Sequence, residues 1–223
     1  MNNLSFAELR TRHPRFVYQS YRMEHDSGEL RLAYSFRLEP DISFEPQITL
    51  PCAQPEILPQ LENMVFQLGL VEMISYWKAA CPPVIEIPCG SLNGGQIAWW
   101  KDLLLHGLGE FFLRNAIDFR APDFLRFDIS ASLPPGSQAP AFSPDDAELI
   151  LVGGGKDSAL TIELLRGLPK QRAAFMLNPM PSSIKSATLG GITRQLIARR
   201  RIDPRLLELN RSGYLNGHTP FSA

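Results

Sequence analysis

The sequence predicts an α/β protein in two parts: an α+β domain over residues 1–140, then a parallel-sheet α/β domain over 141–223. Three observations carry this. The chain opens with alternating apolar and polar residues on both sides of a tight-turn sequence, the pattern of an antiparallel hairpin. A long stretch that is apolar nearly all round follows, the pattern of a buried helix. The last third alternates apolar runs of strand length with helical ones, which implies right-handed crossovers and parallel strands. Leu133–Asp146 (LPPGSQAPAFSPDD) has the Pro, Ser and Gly content of a linker and sets the boundary.

Taken in order, Phe16–His25 and Glu29–Leu38 flank Asp26-Ser27-Gly28, and Leu30, Leu32, Tyr34, Phe36 and Leu38 keep strand period. Ile42–Leu50 continues the alternation as a third strand. Leu61–Ala80 (LENMVFQLGLVEMISYWKAA) is a helix halted by Cys81-Pro82-Pro83. Glu72 and Lys78 on it are either paired charges or groups facing a cavity, or else they share a narrow solvent strip, where Lys78 suits the negative helix end. A short strand, Val84–Ile87, leads to a second helix over about Gln96–Ala116, with Trp99 and Trp100 read as core aromatics. Glu110, in HGLGEFF, is the carboxylate there with apolar neighbours on its helical face. Phe124–Ile129 is a further strand. Beyond the linker the pattern reads strand (Glu148–Val152), loop, helix (Asp157–Arg166), strand (Ala173–Leu177), helix (about Ser182–Arg200) and short strand (Leu206–Leu209). The run Arg199-Arg200-Arg201 then falls at a helix end and reads as a solvated cap. Three parallel strands are too few for an open sheet covered on both faces. A partner chain or a further stretch of the same protein is expected to complete it.

Composition narrows the class. At 223 residues, 44% hydrophobic and 20% charged, the chain can bury a substantial core, and its formal net charge of −1 favours neither nucleic acid nor an acidic membrane surface. Cys52, Cys81 and Cys89 include no C-x-x-C pair, which argues against a disulfide framework or zinc knuckle and fits a reducing, cytoplasmic setting. The opening residues MNNLSFAELR carry no basic-then-apolar export signal, and Glu62, Gln67 and Glu72 interrupt the most apolar stretch, so no membrane span is read.

Chemistry concentrates in ELILVGGGKDSALTIE, residues 148–163. An apolar strand runs straight into Gly153, Gly154 and Gly155, and Asp157 and Ser158 stand where a helix begins. With no side chains in the way, a phosphate can meet backbone N–H groups and the positive end of the helix dipole. A Walker A loop fails, because Ile150 and Asp157 occupy the places of its first glycine and its Ser/Thr. The dinucleotide fingerprint also fails. Its third glycine falls on Ser158, and the strand Ala173–Leu177 ends without a ribose-binding acid. Gly153-Gly154-Gly155-Lys156-Asp157-Ser158 instead resembles the S-G-G-x-D-S pyrophosphatase loop of the ATP-dependent PP-loop family, with Gly153 in place of the first serine.

Further segments narrow that resemblance. Glu72–Ala79 followed by Pro82-Pro83, Trp99-Trp100-Lys101, Gly107–Phe112, the glycine loop and Leu215-Asn216-Gly217-His218-Thr219-Pro220 together resemble the UDP-N-acetylmuramoyl-L-alanyl-L-glutamate epimerases of peptidoglycan synthesis, in their N-terminal half. The resemblance implies a cytoplasmic isomerase that inverts the α-carbon of the terminal L-glutamate of a UDP-muramoyl dipeptide, using ATP and Mg²⁺. Gly153, Gly154, Gly155, Lys156, Asp157 and Ser158 would then bind ATP, Asp157 would help hold Mg²⁺, and His218, Glu110 and Lys78 are the titratable candidates for moving the α-proton. On position alone His218 is equally a turn residue shaped by Gly217 and Pro220. Two other functions compete: a PP-loop enzyme that adenylates tRNA or a small metabolite, and a non-catalytic ATP-binding module. A tRNA enzyme should show a basic face and cysteine pairs, which this sequence lacks.

Overall fold

The computed structural model describes residues 4–129 and 147–215. The predicted linker and the Asn216–Pro220 motif lie outside them. Among the described residues are α1 (Phe6–Arg12), β1 (Arg15–Asp26), β2 (Glu29–Leu38), β3 (Ile42–Phe44), β4 (Gln47–Pro51), α2 (Leu58–Trp77), β5 (Val84–Ile87), α3 (Gly94–Gly107), α4 (Gly109–Arg114) and β6 (Arg126–Ile129). After the break come β7 (Ala147–Leu151), α5 (Lys156–Leu164), β8 (Gln171–Leu177), α6 (Pro181–Leu189), β9 (Arg194–Arg201) and α7 (Pro204–Arg211). The fold is mixed α/β. One sheet runs β6-β5-β1-β2-β4-β9-β8-β7, with β3 paired to β2. Its centre is antiparallel through β1, β2, β4 and β9. Parallel strands flank that centre, β1, β5 and β6 at one end and β7, β8 and β9 at the other.

Local chemistry explains the elements. Asp26 pairs with Glu29 across Ser27 (φ 50°) and Gly28 (φ 80°), the two positive φ values that a tight hairpin turn requires. Apolar β2 residues bury their alternate side chains beneath α2, which is enclosed on nearly every side from Val65 to Trp77. Close approach of α2 to the sheet depends on Gly69, where a Cβ would overlap the Tyr18 ring. The larger core gathers Phe16, Tyr18, Tyr34, Phe36, Tyr76 and Trp77 with their neighbours, and a smaller one gathers Ile150, Val152, Ile162, Ala174, Met176, Ala187 and Ile192 under α5 and α6.

Several expectations require correction. The helix expected over about 182–200 ends at Leu189, and residues 194–201 form β9. Gly190 and Gly191 (φ 75°) stop the helix, and a Cβ on Gly190 would overlap Ile162. The strand expected at Leu206–Leu209 is α7, whose N-cap is Asp203 with Pro204 at the first helical position. The second helix breaks at Leu108 into α3 and α4, with Trp100 buried but Trp99 exposed rather than in the core, and the third strand breaks at Glu45-Pro46 into β3 and β4. Finally, Arg200 is not in a solvated cap. It lies on β9 and is buried.

Candidate functional site

The glycine loop sits where β7 ends and α5 begins. Val152 still donates its N–H to Phe175 O (2.9 Å), so the sheet holds the chain up to the first glycine. Gly154 then takes φ 88°, a left-handed conformation natural to glycine. Gly155 caps α5 with extended backbone and without a side-chain hydrogen bond. Ser158, half-buried one turn into α5, accepts the amides of Gly153 (3.0 Å) and Gly154 (3.3 Å) on its Oγ. Both N–H groups thus converge on that hydroxyl, which curls the loop, and the N–H groups at the uncapped start of α5 are those placed to meet an anion. No atom would stand within 4 Å of a Cβ at Gly153 or Gly155, so the outer side of the loop is open. Lys156 and Asp157 are both exposed in the first turn of α5.

A neighbouring helix braces the loop. Ser183, at the start of α6, is buried and donates its Oγ to Gly153 O (3.0 Å). A Cβ at Gly154 would stand 2.7 Å from Ser183 Oγ and 2.8 Å from its backbone N, so the loop and the α6 start fit only with glycine there. Between β8 and α6, Asn178 (φ 45°) accepts the Arg200 amide at 2.9 Å and donates to the Arg200 carbonyl at 2.8 Å, continuing the β8–β9 ladder with a side chain. Because β7, β8 and β9 are parallel, the loop, Asn178 to Ser183 and Arg200 share one carboxyl edge. That edge is where open α/β sheets bind ligands.

Arg200 carries the edge onto α2. Its guanidinium clasps Glu72 through Nε (2.7 Å) and Nη2 (2.9 Å), and Nη2 also donates to Ser75 Oγ (3.1 Å). Burial pushes the Glu72 carboxyl up, and the Arg200 guanidinium acts against that shift. Of the two readings of Glu72, the structure shows the paired one. Asp203 N donates to Tyr76 OH, and Glu45 N donates to Asp203 Oδ2, so the chain leaving β9 is tied to the same helix and to the β3–β4 turn. Asn178, Ser183 and the Arg200 partnership were missed in the sequence, because their partners are set by strand order alone.

The three candidate proton carriers are placed differently. Lys78 follows the last turn of α2 and is buried, with Nζ 5.5 Å over the Phe111 ring, and burial lowers its pKa. Glu110 lies beside that ring in sequence but faces out, its side chain 66% exposed and paired with Arg114 at 3.5 Å. The expectation of an apolar setting for its carboxylate is therefore corrected. Glu110 stands in the first turn of α4, a helix of 6 residues that buries Phe111 and Phe112 and leaves its other side to solvent. His218 lies outside the described residues. Leu215, three positions earlier, donates its N–H to Ala79 O (3.0 Å), one residue from Lys78. Tyr214 beside it is held by buried His13: the Glu39 carbonyl, an obligate acceptor, takes the Nδ1 proton at 2.6 Å, leaving Nε2 to accept from Tyr214 OH at 2.9 Å. Among the described residues no cluster of three or more His, Cys, Asp or Glu is gathered as a metal site, and no helix is long and apolar enough to cross a membrane.

Fold and loop thus define a mixed α/β protein with a candidate anion site at the carboxyl edge of its parallel strands. The chain belongs to the family described as MurL N-terminal domain, whose family model matches residues 7–223. It is 32% identical to the UDP-N-acetyl-alpha-D-muramoyl-L-alanyl-L-glutamate epimerases of Micromonospora sp. and Salinispora tropica, in each case over 93% of this chain and 46% of the relative. The protein of the same name from Xanthomonas oryzae pv. oryzae is 35% identical over 70% of this chain and 34% of its own length. This chain therefore spans about half the length of the first two relatives. No solved structure matches it.

Proposed function

We propose that this chain supplies the nucleotide-binding part, residues 141–223, and the adjoining 1–140 part of an ATP- and Mg²⁺-dependent cytoplasmic epimerase. Its reaction inverts the α-carbon of the terminal L-glutamate of a UDP-N-acetylmuramoyl dipeptide during peptidoglycan precursor synthesis. The observation that carries this reading is the open glycine loop at the carboxyl edge of parallel strands, in a chain of the MurL N-terminal domain family.

The residues present fit ATP. The outer side of Gly153 and Gly155 is open, α5 starts without a side-chain cap, and a cation and a carboxylate flank the first turn. When bound, ATP supplies AMP to the glutamate α-carboxylate with release of pyrophosphate. This cancels the carboxylate charge and makes the adjacent C–H far more acidic, and later loss of AMP to water restores the acid. In this reading Gly155 and the uncapped start of α5, on the loop that Gly154 bends, would hold the leaving pyrophosphate, and Lys156 would offset its charge. Asp157 holds Mg²⁺. Ser158 and Ser183 keep the loop curved. Proton removal on one face and return on the other falls to one or two of His218, Lys78 and Glu110. Lys78 has its pKa lowered by burial, which raises its neutral, basic fraction.

The test is product analysis with the longest natural form of the protein in deuterated solvent. Pyrophosphate, AMP and deuterium at the glutamate α-carbon should all depend on the UDP-muramoyl dipeptide. AMP formation that required tRNA instead, or ATP binding without turnover, would replace this reading by one of its two rivals. A His218→Gln variant that still released pyrophosphate but exchanged no α-proton would assign the base role to His218.

A further inference from the structure

At the far end of the sheet, β7 bonds β8 on one side and, among the described residues, ends the strand order on the other. Val152 turns its N–H to β8, so the period of two along a strand turns the amides of Leu149 and Leu151 to the open edge. The same two side chains stand on the sheet face opposite Ile150 and Val152, and they are 57% and 70% exposed. On α5, Leu160 and Leu164, one turn apart, are 60% and 71% exposed. Natural edge strands carry charge or proline to discourage pairing. The opposite edge strand, β6, carries Arg126 and Asp128, whereas β7 has its one charge, Glu148, on the face of Ile150 and leaves Ala147, Leu149 and Leu151 on the other. Parallel strands with apolar residues on both faces are ordinarily covered on both faces.

We propose that the open edge of β7 and the Leu149/Leu151 face form a docking surface for the other half of the epimerase polypeptide, the half the curated relatives carry outside the stretch matched here. That half adds a strand along β7 and an apolar layer over the two leucines. A second copy of this chain is the poorer fit. Two-fold pairing of β7 with β7 extends the sheet but leaves both leucine faces bare, since joining edges adds no layer. The relatives have the chain length needed, because the match covers 46% of each of the first two. This inference does not rest on the nucleotide reading and survives its failure.

The test is hydrogen exchange at the Leu149 and Leu151 amides. In this chain alone they exchange freely, and in a single polypeptide joining this chain to the remaining half of the Micromonospora relative they slow by at least about 100-fold. The intact relative serves as a second measurement, and the strand aligned with β7 is slow there too. A Leu149→Asp/Leu151→Asp double variant of the joined protein returns both neighbouring amides to fast exchange, while circular dichroism of the unjoined variant is unchanged because both side chains are exposed. The proposal is overturned if the two amides are already slow in this chain alone, with sedimentation showing a dimer or not. It is equally overturned if they stay fast in the joined protein while the aligned strand of the intact relative is fast as well.

Discussion

Gly154 separates a shaped loop from a merely flexible one. Alanine at this position has to keep φ 88°, which costs an L-residue about 1–2 kcal/mol. Its Cβ would also stand 2.7 Å from Ser183 Oγ, 2.8 Å from Ser183 N and 3.0 Å from Ser182 Oγ. The Ser183 contact is backbone at the head of a packed helix and cannot swing aside, so the start of α6 must shift, and such overpacking costs about 1–3 kcal/mol. Gly154→Ala should therefore destabilise the protein by about 2–5 kcal/mol. At Gly153 a Cβ meets nothing within 4 Å and no positive φ is present. Gly153→Ala should be neutral or stabilising by up to about 1 kcal/mol through the unfolded chain. Urea unfolding of the two variants, followed by tryptophan fluorescence and far-UV circular dichroism, gives the difference. If Gly154→Ala falls within about 0.5 kcal/mol of Gly153→Ala, the bracing of the loop by α6 is refuted.

Arg200→Met should cost about 3–5 kcal/mol by leaving the buried Glu72 carboxylate without its partner, and the Glu72→Gln/Arg200→Met double variant should cost less than the sum of the singles in urea unfolding. His13 has its pKa lowered by burial, so the unfolded chain takes up its proton first. Stability should fall as pH drops below the unfolded value near ~6.5 and level off below the folded one, and this slope should vanish in His13→Asn. Asp157→Ala and Ser158→Ala in the complete enzyme should each abolish pyrophosphate release, the first with unfolding unchanged because Asp157 is exposed. Undiminished release from both would remove the loop from the reaction.

Elements whose signals are local were legible in the sequence. The hairpin around Ser27-Gly28 and the strand-glycine-helix junction at 152–156 needed only alternation and turn chemistry. The stretch 182–211 was misread although it too carried local signals: Gly190-Gly191 is a helix stop and Asp203-Pro204 a helix start. Read without them, RQLIARRR passes for the tail of a helix, since three consecutive arginines have no obvious place in a strand. In the sheet, alternation sends Arg200 inward and leaves Arg199 and Arg201 exposed. Arg199 reaches Glu29 at 3.1 Å.

The inward arginine shows where sequence reasoning stops. An apolar helix bearing Glu72 requires a partner for that carboxylate, and the physics of burial says so without a structure. Which residue answers depends on β4 and β9 lying side by side, antiparallel, with Ile48 opposite Arg200. That pairing joins segments separated by most of the chain, and no period or motif encodes it. Once it forms, Arg200 is fixed on three sides: its side chain by Glu72 and Ser75, its backbone by Asn178 and by β4. Asn178 leads within five residues to Ser183, and Ser183 holds Gly153. The curvature of the glycine loop is thereby referred, bond by bond, to a charge on α2. A disturbance at Glu72 has a continuous path of hydrogen bonds and covalent chain to the loop, and the Arg200→Met variant, assayed for pyrophosphate release alongside its unfolding, measures how much of it arrives.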